Sequence, residues 1–280
     1  MFLNFALAAI LSISPVSAPV PNLDMSSSPS DHRLEMSTPA PPLSDPFVAA
    51  ATVPMPSDLV LREAPSSRLG VFRSVAISAA RLPAASRWQE ARQHDYTDLF
   101  SADCATSGLD GCNSRFATRL RNVAAQVAGL SDAEILDLVN RTVNSAMTYR
   151  SDHAIWGVGD HWATPVEMAL KGTGDCEDFA IAKYWLLRSL GVADEQLQMV
   201  VLQDTRRQLF HAVLVVHTTS SAYVLDNVTN RLQLDTAYAQ YQPIMSFSAS
   251  RNYIHGFAAG GTAVAAMPRD LSSVAPGLGM

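Results

Sequence analysis

Lysine is almost missing from this chain. Of its 20 basic residues only Lys171 and Lys183 are lysine, and charged residues make up 16% of the 280 positions, with a net charge of −6. No run of Lys or Arg offers a phosphate-binding face, so nucleic acid is excluded as a partner, and so is electrostatic docking on anionic lipid. No apolar stretch reaches the ~18–20 residues that span a bilayer, which excludes a conventional membrane protein. Three cysteines are too few for a disulfide scaffold and too irregularly spaced for a structural zinc site. Proline is scarce in the middle of the chain: only Pro165 lies between Ala84 and Tyr241, whereas eleven of the sixteen prolines fall in the first 67 residues.

That asymmetry divides the chain. Proline fixes φ and lacks an amide donor, so the early cluster forbids helix interiors and central strands. Residues 19–67, with runs such as Met25-Ser-Ser-Ser-Pro-Ser, read as a disordered Pro/Ser-rich tether. A globular domain is expected over 68–257, followed by a loose Ala/Gly-rich tail over 258–280. Hydrophobic residues at 48% are enough to give that domain a sizeable core. Phe2 to Ala18 is apolar and ends in Val16-Ser17-Ala18, as a signal peptide over residues 1–18 would. The lack of an early Lys or Arg, and Pro19 directly after the cut, count against it.

Within the domain the periodicity changes once. Arg115 to Gly129 reads as a helix, with Gly129 as its stop. Ser131-Asp-Ala-Glu134 and Thr164-Pro-Val-Glu167 are capping boxes, opening helices to about Tyr149 and Leu170 with a loop over 150–163 between them. Cys176 to Leu190 is helical and stops at Gly191. After it come short β-branched runs, Gln198–Leu202, Phe210–His217 and Ala222–Asp226. Helices first and an antiparallel sheet later predict an α+β domain.

The cysteines fall into two kinds. Cys104 and Cys112 flank a short loop that a disulfide can close, which predicts an oxidising compartment, periplasmic or secreted. Cys176 is left over at a helix start, where unpaired amides favour a thiolate and predict a lowered thiol pKa. Its own amide could donate to an oxyanion. A thiol nucleophile needs a base and the base an orienter. His211 sits in an apolar strand; a four-residue turn over 218–221 puts Val213 opposite Asp226, so His211 is a diagonal neighbour of Asp226 on one face. Cys176, His211 and Asp226 are the candidate triad. His153, His161 and His255 are weaker bases. The acidic Asp175, Glu177 and Asp178 by themselves read as complements to the helix dipole.

The run Trp156-Gly-Val-Gly-Asp-His-Trp-Ala-Thr-Pro-Val-Glu167 with Gly174-Asp-Cys-Glu-Asp-Phe-Ala-Ile-Ala-Lys-Tyr184 closely resembles the bacterial transglutaminase-like cysteine proteinases. His211-Ala-Val-Leu and Leu225-Asp-Asn227 resemble that family's His and Asp segments, and the resemblance covers roughly residues 95–256. It implies a papain/transglutaminase-like α+β fold, with Cys176 as nucleophile, His211 as base and Asp226 as orienter. It also implies calcium as cofactor, ligated by Asp175 and Glu177, with Asp178 as a lesser contributor. The partners it implies are a protein substrate, such as a large surface adhesin in biofilm release, and an inner-membrane regulatory receptor. Phe179 and His161 depart from it, standing where tyrosines are expected. Acyl transfer to an amine by the same triad, as in a transglutaminase or amidase, and a non-catalytic calcium-dependent binding module are the rival readings.

Overall fold

The computed structural model describes residues 70–257, 268 and 270–277. The signal and tether calls, and most of the tail, lie outside the described residues. The elements are β1 (Val75–Ala79), α1 (Ala85–Glu90), α2 (Cys104–Ser107), α3 (Arg115–Arg121), α4 (Asp132–Ala146), β2 (Thr148–Tyr149), α5 (Asp152–Trp156), α6 (Pro165–Lys171), β3 (Thr173–Gly174) and α7 (Cys176–Ser189). There follow β4 (Leu197–Asp204), β5 (Leu209–His217), β6 (Ala222–Leu225), β7 (Gln233–Leu234), β8 (Tyr241–Ser248) and β9 (Arg251–Gly256). Seven strands form one antiparallel sheet in the order β1-β9-β8-β4-β5-β6-β7, and β2 pairs with β3 in parallel. The chain is thus α+β, as its pattern predicts. Among the described residues no helix is long and apolar enough to cross a membrane.

Local chemistry accounts for the helix starts. In α4 the Ser131 hydroxyl accepts from the Glu134 amide and the Glu134 carboxylate accepts from the Ser131 amide at 2.8 Å. Thr164 and Glu167 do the same for α6 around Pro165, and Gly172 ends it at φ +67°. Three expectations change. The helix from Arg115 ends at Arg121 and tightens into a 3-10 turn; Thr148–Tyr149 leaves α4 to pair with Thr173–Gly174; and Asp152–Trp156 is a short helix inside the expected loop. One strand, β1, precedes the helices and joins the far edge beside β9, a pairing of distant segments with no local signature.

The sheet has a core on each face. Ala212, Leu214 and Val216 of β5 face the main core, shared with α4, α6 and α7, while Val213 and Val215 face a smaller core with Phe72, Tyr238 and Tyr241. α7 lies against β5, α4 and α6 and is buried on every side from Cys176 to Leu187. That burial takes in Lys183, whose ammonium has no hydrogen-bond partner and lies 6.0 Å from the Phe179 ring. Burial pushes this amine down to about 7, against the attraction of Asp226. Lys171, by contrast, is exposed at the end of α6, with its ammonium 5.1 Å from the Trp156 ring.

Cys104 and Cys112 form the disulfide, with Cα atoms 5.7 Å apart, and Cys176 is the free cysteine. Replacing both bridged cysteines by serine should lower stability by roughly 2–3 kcal/mol, the chain-entropy value for so short a loop. Urea denaturation of the variant and the oxidised parent measures this.

Candidate active site

The start of α7 is built by glycine and carboxylate together. The two-residue β2–β3 pairing, extended by the Arg150 amide donating to the Gly174 carbonyl at 2.9 Å, delivers Asp175 to the helix start. A side chain at Gly174 would lie 2.6 Å from the Asp178 carboxylate, so only glycine fits there. The Asp178 carboxylate folds back to accept from the Asp175 amide at 3.2 Å and from the Ala163 amide at 2.8 Å. It therefore ties the Trp162–Ala163 segment to the helix.

Other carboxylates converge on the same place. Asp152 accepts from the His161 amide, and its own amide donates to Asp175 Oδ2 at 3.3 Å. Ligand oxygens of Asp152, Asp160 and Glu177 lie within 4.8 Å of one another, and so do those of Asp152, Asp175 and Asp178. Arg87 answers Asp160 at 3.1 Å. Asp152 Oδ1, Asp175 Oδ1 and Glu177 Oε1 are buried without any partner. Burial pushes Asp175 up to about 7 and Asp152 up to about 6, and burial together with the charges of its neighbours also raises Glu177 and Asp178 well above the usual carboxylate range. Orphaned, converging hard oxygens are a donor set that suits a divalent cation such as calcium. Asp175 and Glu177 are both in it. Asp152 and Asp160 carry only a weak signal in the sequence, as two aspartates bracketing the Gly157–Gly159 turn.

Cys176 departs from expectation. Its thiol donates to Glu177 Oε2 at 3.3 Å, and burial, then the charge of Asp175, push its pKa up instead of down. The partial charge of a helix start is outweighed by desolvation and neighbouring acids. The nearby backbone amide of Ala212 works in the opposite direction. Cys176 therefore sits at the edge of β5, against the residue that follows His211.

The β5–β6 turn has the register read from its length, with His217 opposite Ala222 and Leu214 opposite Leu225. His211 Nε2 lies 2.9 Å from Asp226 Oδ1, both residues being buried. Asp226 Oδ2 accepts from the Tyr241 hydroxyl at 2.6 Å, and Oδ1 also accepts from the Val228 amide at 3.0 Å. Burial pushes the Asp226 carboxyl up, but the His211 bond and charge, the Tyr241 hydroxyl and the Val228 amide together hold it well below the usual range. A carboxylate there makes Nε2 the protonated nitrogen and leaves Nδ1 as the acceptor. By alternation His211 shares the face of Val213 and Val215, opposite α7. The imidazole and the thiol-bearing helix therefore lie toward opposite faces of the sheet, beside the stretch of β5 that β6 leaves unpaired. Tyr241 carried no signal in the sequence, since β8 is paired through β4.

Three other histidines are engaged elsewhere. His255 is held between Ser74 at 2.7 Å and Ser246 at 2.8 Å, His217 by Gln198 at 2.7 Å, and the His161 ring lies tilted against Trp156 with 4.5 Å between ring centroids.

Residues 104–254 match the family described as bacterial transglutaminase-like cysteine proteinase, BTLCP. The chain belongs to this family. It is a cysteine protease. Among solved structures, EGTA-treated LapG of Legionella pneumophila is 24% identical, covers 60% of this proteinase and 83% of its own chain, and has a TM-score of 0.45. Calcium-bound Legionella pneumophila LapG is 25% identical over 60% and 86%, with a TM-score of 0.45. No curated protein matches the proteinase.

Tyr241→Phe leaves Asp226 Oδ2 without its hydroxyl donor and should cost about 1–3 kcal/mol. Because the carboxyl is held below its ordinary value, that loss should be full above about pH 4 and should close as acid protonates Asp226. Denaturant titrations of parent and variant across that range give the comparison.

Proposed function

We propose that the proteinase cleaves peptide bonds of a protein substrate with Cys176 as nucleophile, His211 as general base and then acid, and Asp226 as orienter. The observation that carries this is the buried His211–Asp226 pair on the strand whose edge receives the Cys176 sulfur. In the first step the thiol gives its proton to His211 Nδ1 while sulfur adds to the scissile carbonyl carbon. The Cys176 amide at the helix start is the donor available to the resulting oxyanion. Collapse of the tetrahedral adduct breaks the C–N bond, and His211 returns the proton to the leaving amine. Water, deprotonated by the same nitrogen, then hydrolyses the thioester. Asp226 holds the ring in the tautomer that these transfers need, and Tyr241 holds Asp226.

The calcium reading rests on the partnerless oxygens of Asp152, Asp175 and Glu177, with Asp160 and Asp178 beside them. These residues would hold the ion, whose positive charge would offset their repulsion beside the thiol. The Cys104–Cys112 disulfide supports a periplasmic or secreted setting. The resemblance to the family extends the proposal to a surface adhesin as substrate and an inner-membrane receptor as regulator.

Cys176→Ala should abolish the release of new N-termini from cell-surface protein, read by terminal-labelling proteomics, without changing the thermal midpoint. Asp226→Asn should lower turnover by on the order of 10^4, as expected for a wrong tautomer. A Cys176→Ala variant that still cuts would overturn the mechanism. Calcium should stabilise that same inactive variant by about 2.7 kcal/mol at a hundredfold excess over its Kd. Asp152→Asn or Asp175→Asn should remove the effect, and a thermal midpoint indifferent to calcium and EGTA would refute the metal.

A further inference from the structure

Cys176 and His211 are each only 2% exposed, too little for a protein substrate to reach them. Part of what lies there is the chain's own C-terminal segment. Val274 is buried in the main core and Pro276 is buried as well. Gly277 then donates its amide to the carbonyl of Phe210, the residue before His211, at 2.9 Å. A Cβ built on Gly277 would lie 3.3 Å from Asp175 Oδ2 and 3.4 Å from the Tyr149 hydroxyl. The segment thus touches the neighbours of both the nucleophile and the base.

The edge it uses is free for a reason. β6 pairs with β5 only from Leu214 to His217, so β5 from Leu209 to Val213 has no strand on that side. On such an edge alternate residues direct their backbone groups outward. Phe210 offers its carbonyl to Gly277, and Ala212, two residues on, points its backbone the same way. An open strand edge beside a nucleophile is where an extended peptide would dock by backbone pairing. We propose that this edge, with the Phe210 carbonyl and the Tyr149 hydroxyl, is the docking groove for an extended substrate peptide, and that residues 274–277 occupy it in competition with substrate. The proposal deepens the proteolytic reading and rests on it.

Access to Cys176 tests this without depending on activity. The other two cysteines are bridged, so iodoacetamide labels one thiol. Two variants of the full chain serve. Deleting Pro276–Met280 leaves Val274 in the core, and Gly277→Val places a branched side chain where φ is +80° and Asp175 is close. Each should label roughly tenfold faster than the parent, the gain for a site otherwise open about one-tenth of the time. A synthetic peptide of residues 271–280 should slow the deletion variant again. Equal labelling of parent and both variants, with unchanged thermal midpoints, overturns the proposal even if the protein cleaves substrate. Faster labelling in variants that cleave nothing supports the occupied groove and counts against the proteolytic reading.

Discussion

Five carboxyl groups, those of Asp152, Asp160, Asp175, Glu177 and Asp178, converge on the first turn of a buried helix, where like charges repel strongly because little water screens them. The chain neutralises part of this itself. Asp178 is bound by two amides, Asp152 accepts from the His161 amide, and Arg87 reaches Asp160. What remains is a set of oxygens with no partner beside the one free sulfur. The position of α7, the glycine at 174 and the two-residue β2–β3 pairing all serve to hold this corner together. The local cost of bringing so many acids together is borne by a helix packed on every side.

The second half of the site is organised differently. Here a single carboxylate collects donors until its charge is secure, and each donor comes from a separate part of the sheet: His211 from β5, Tyr241 from β8 and the Val228 amide from the loop after β6. The Asn144 side chain of α4 donates to the Asp226 carbonyl at 2.8 Å, joining this arrangement to the helical layer. The helix and the imidazole belong to opposite faces of the sheet, with the unpaired stretch of β5 beside both. The short β6 is what leaves Leu209 to Val213 of β5 open on that side.

Local signals were readable and distant ones were not. Both capping boxes, the start of α7 and the β5–β6 register follow from neighbouring residues, and the diagonal relation of His211 to Asp226 follows from a turn of four. β1 beside β9, and Tyr241 under Asp226, depend on segments far apart in the chain, so no short-range pattern announces them. The acidic pair at 175 and 177 came from resemblance, whereas Asp152 and Asp160 needed the fold to bring their loop back over α7. The raised thiol pKa has a related cause. A helix start is visible in sequence, but the depth of burial and the crowd of acids that overrule it are properties of the folded whole.

The scarcity of lysine takes on meaning once the two are placed. Lys183 is sealed inside α7, so Lys171 is the side-chain amine that the whole sequence offers to solvent. Reagents that couple to amines would find that one side-chain handle, seated at the end of α6 against Trp156, besides the α-amine of the chain. The same economy means that an acyl group carried on sulfur would meet few lysines on a sister molecule, which disfavours self-crosslinking and leaves water as the ready acceptor.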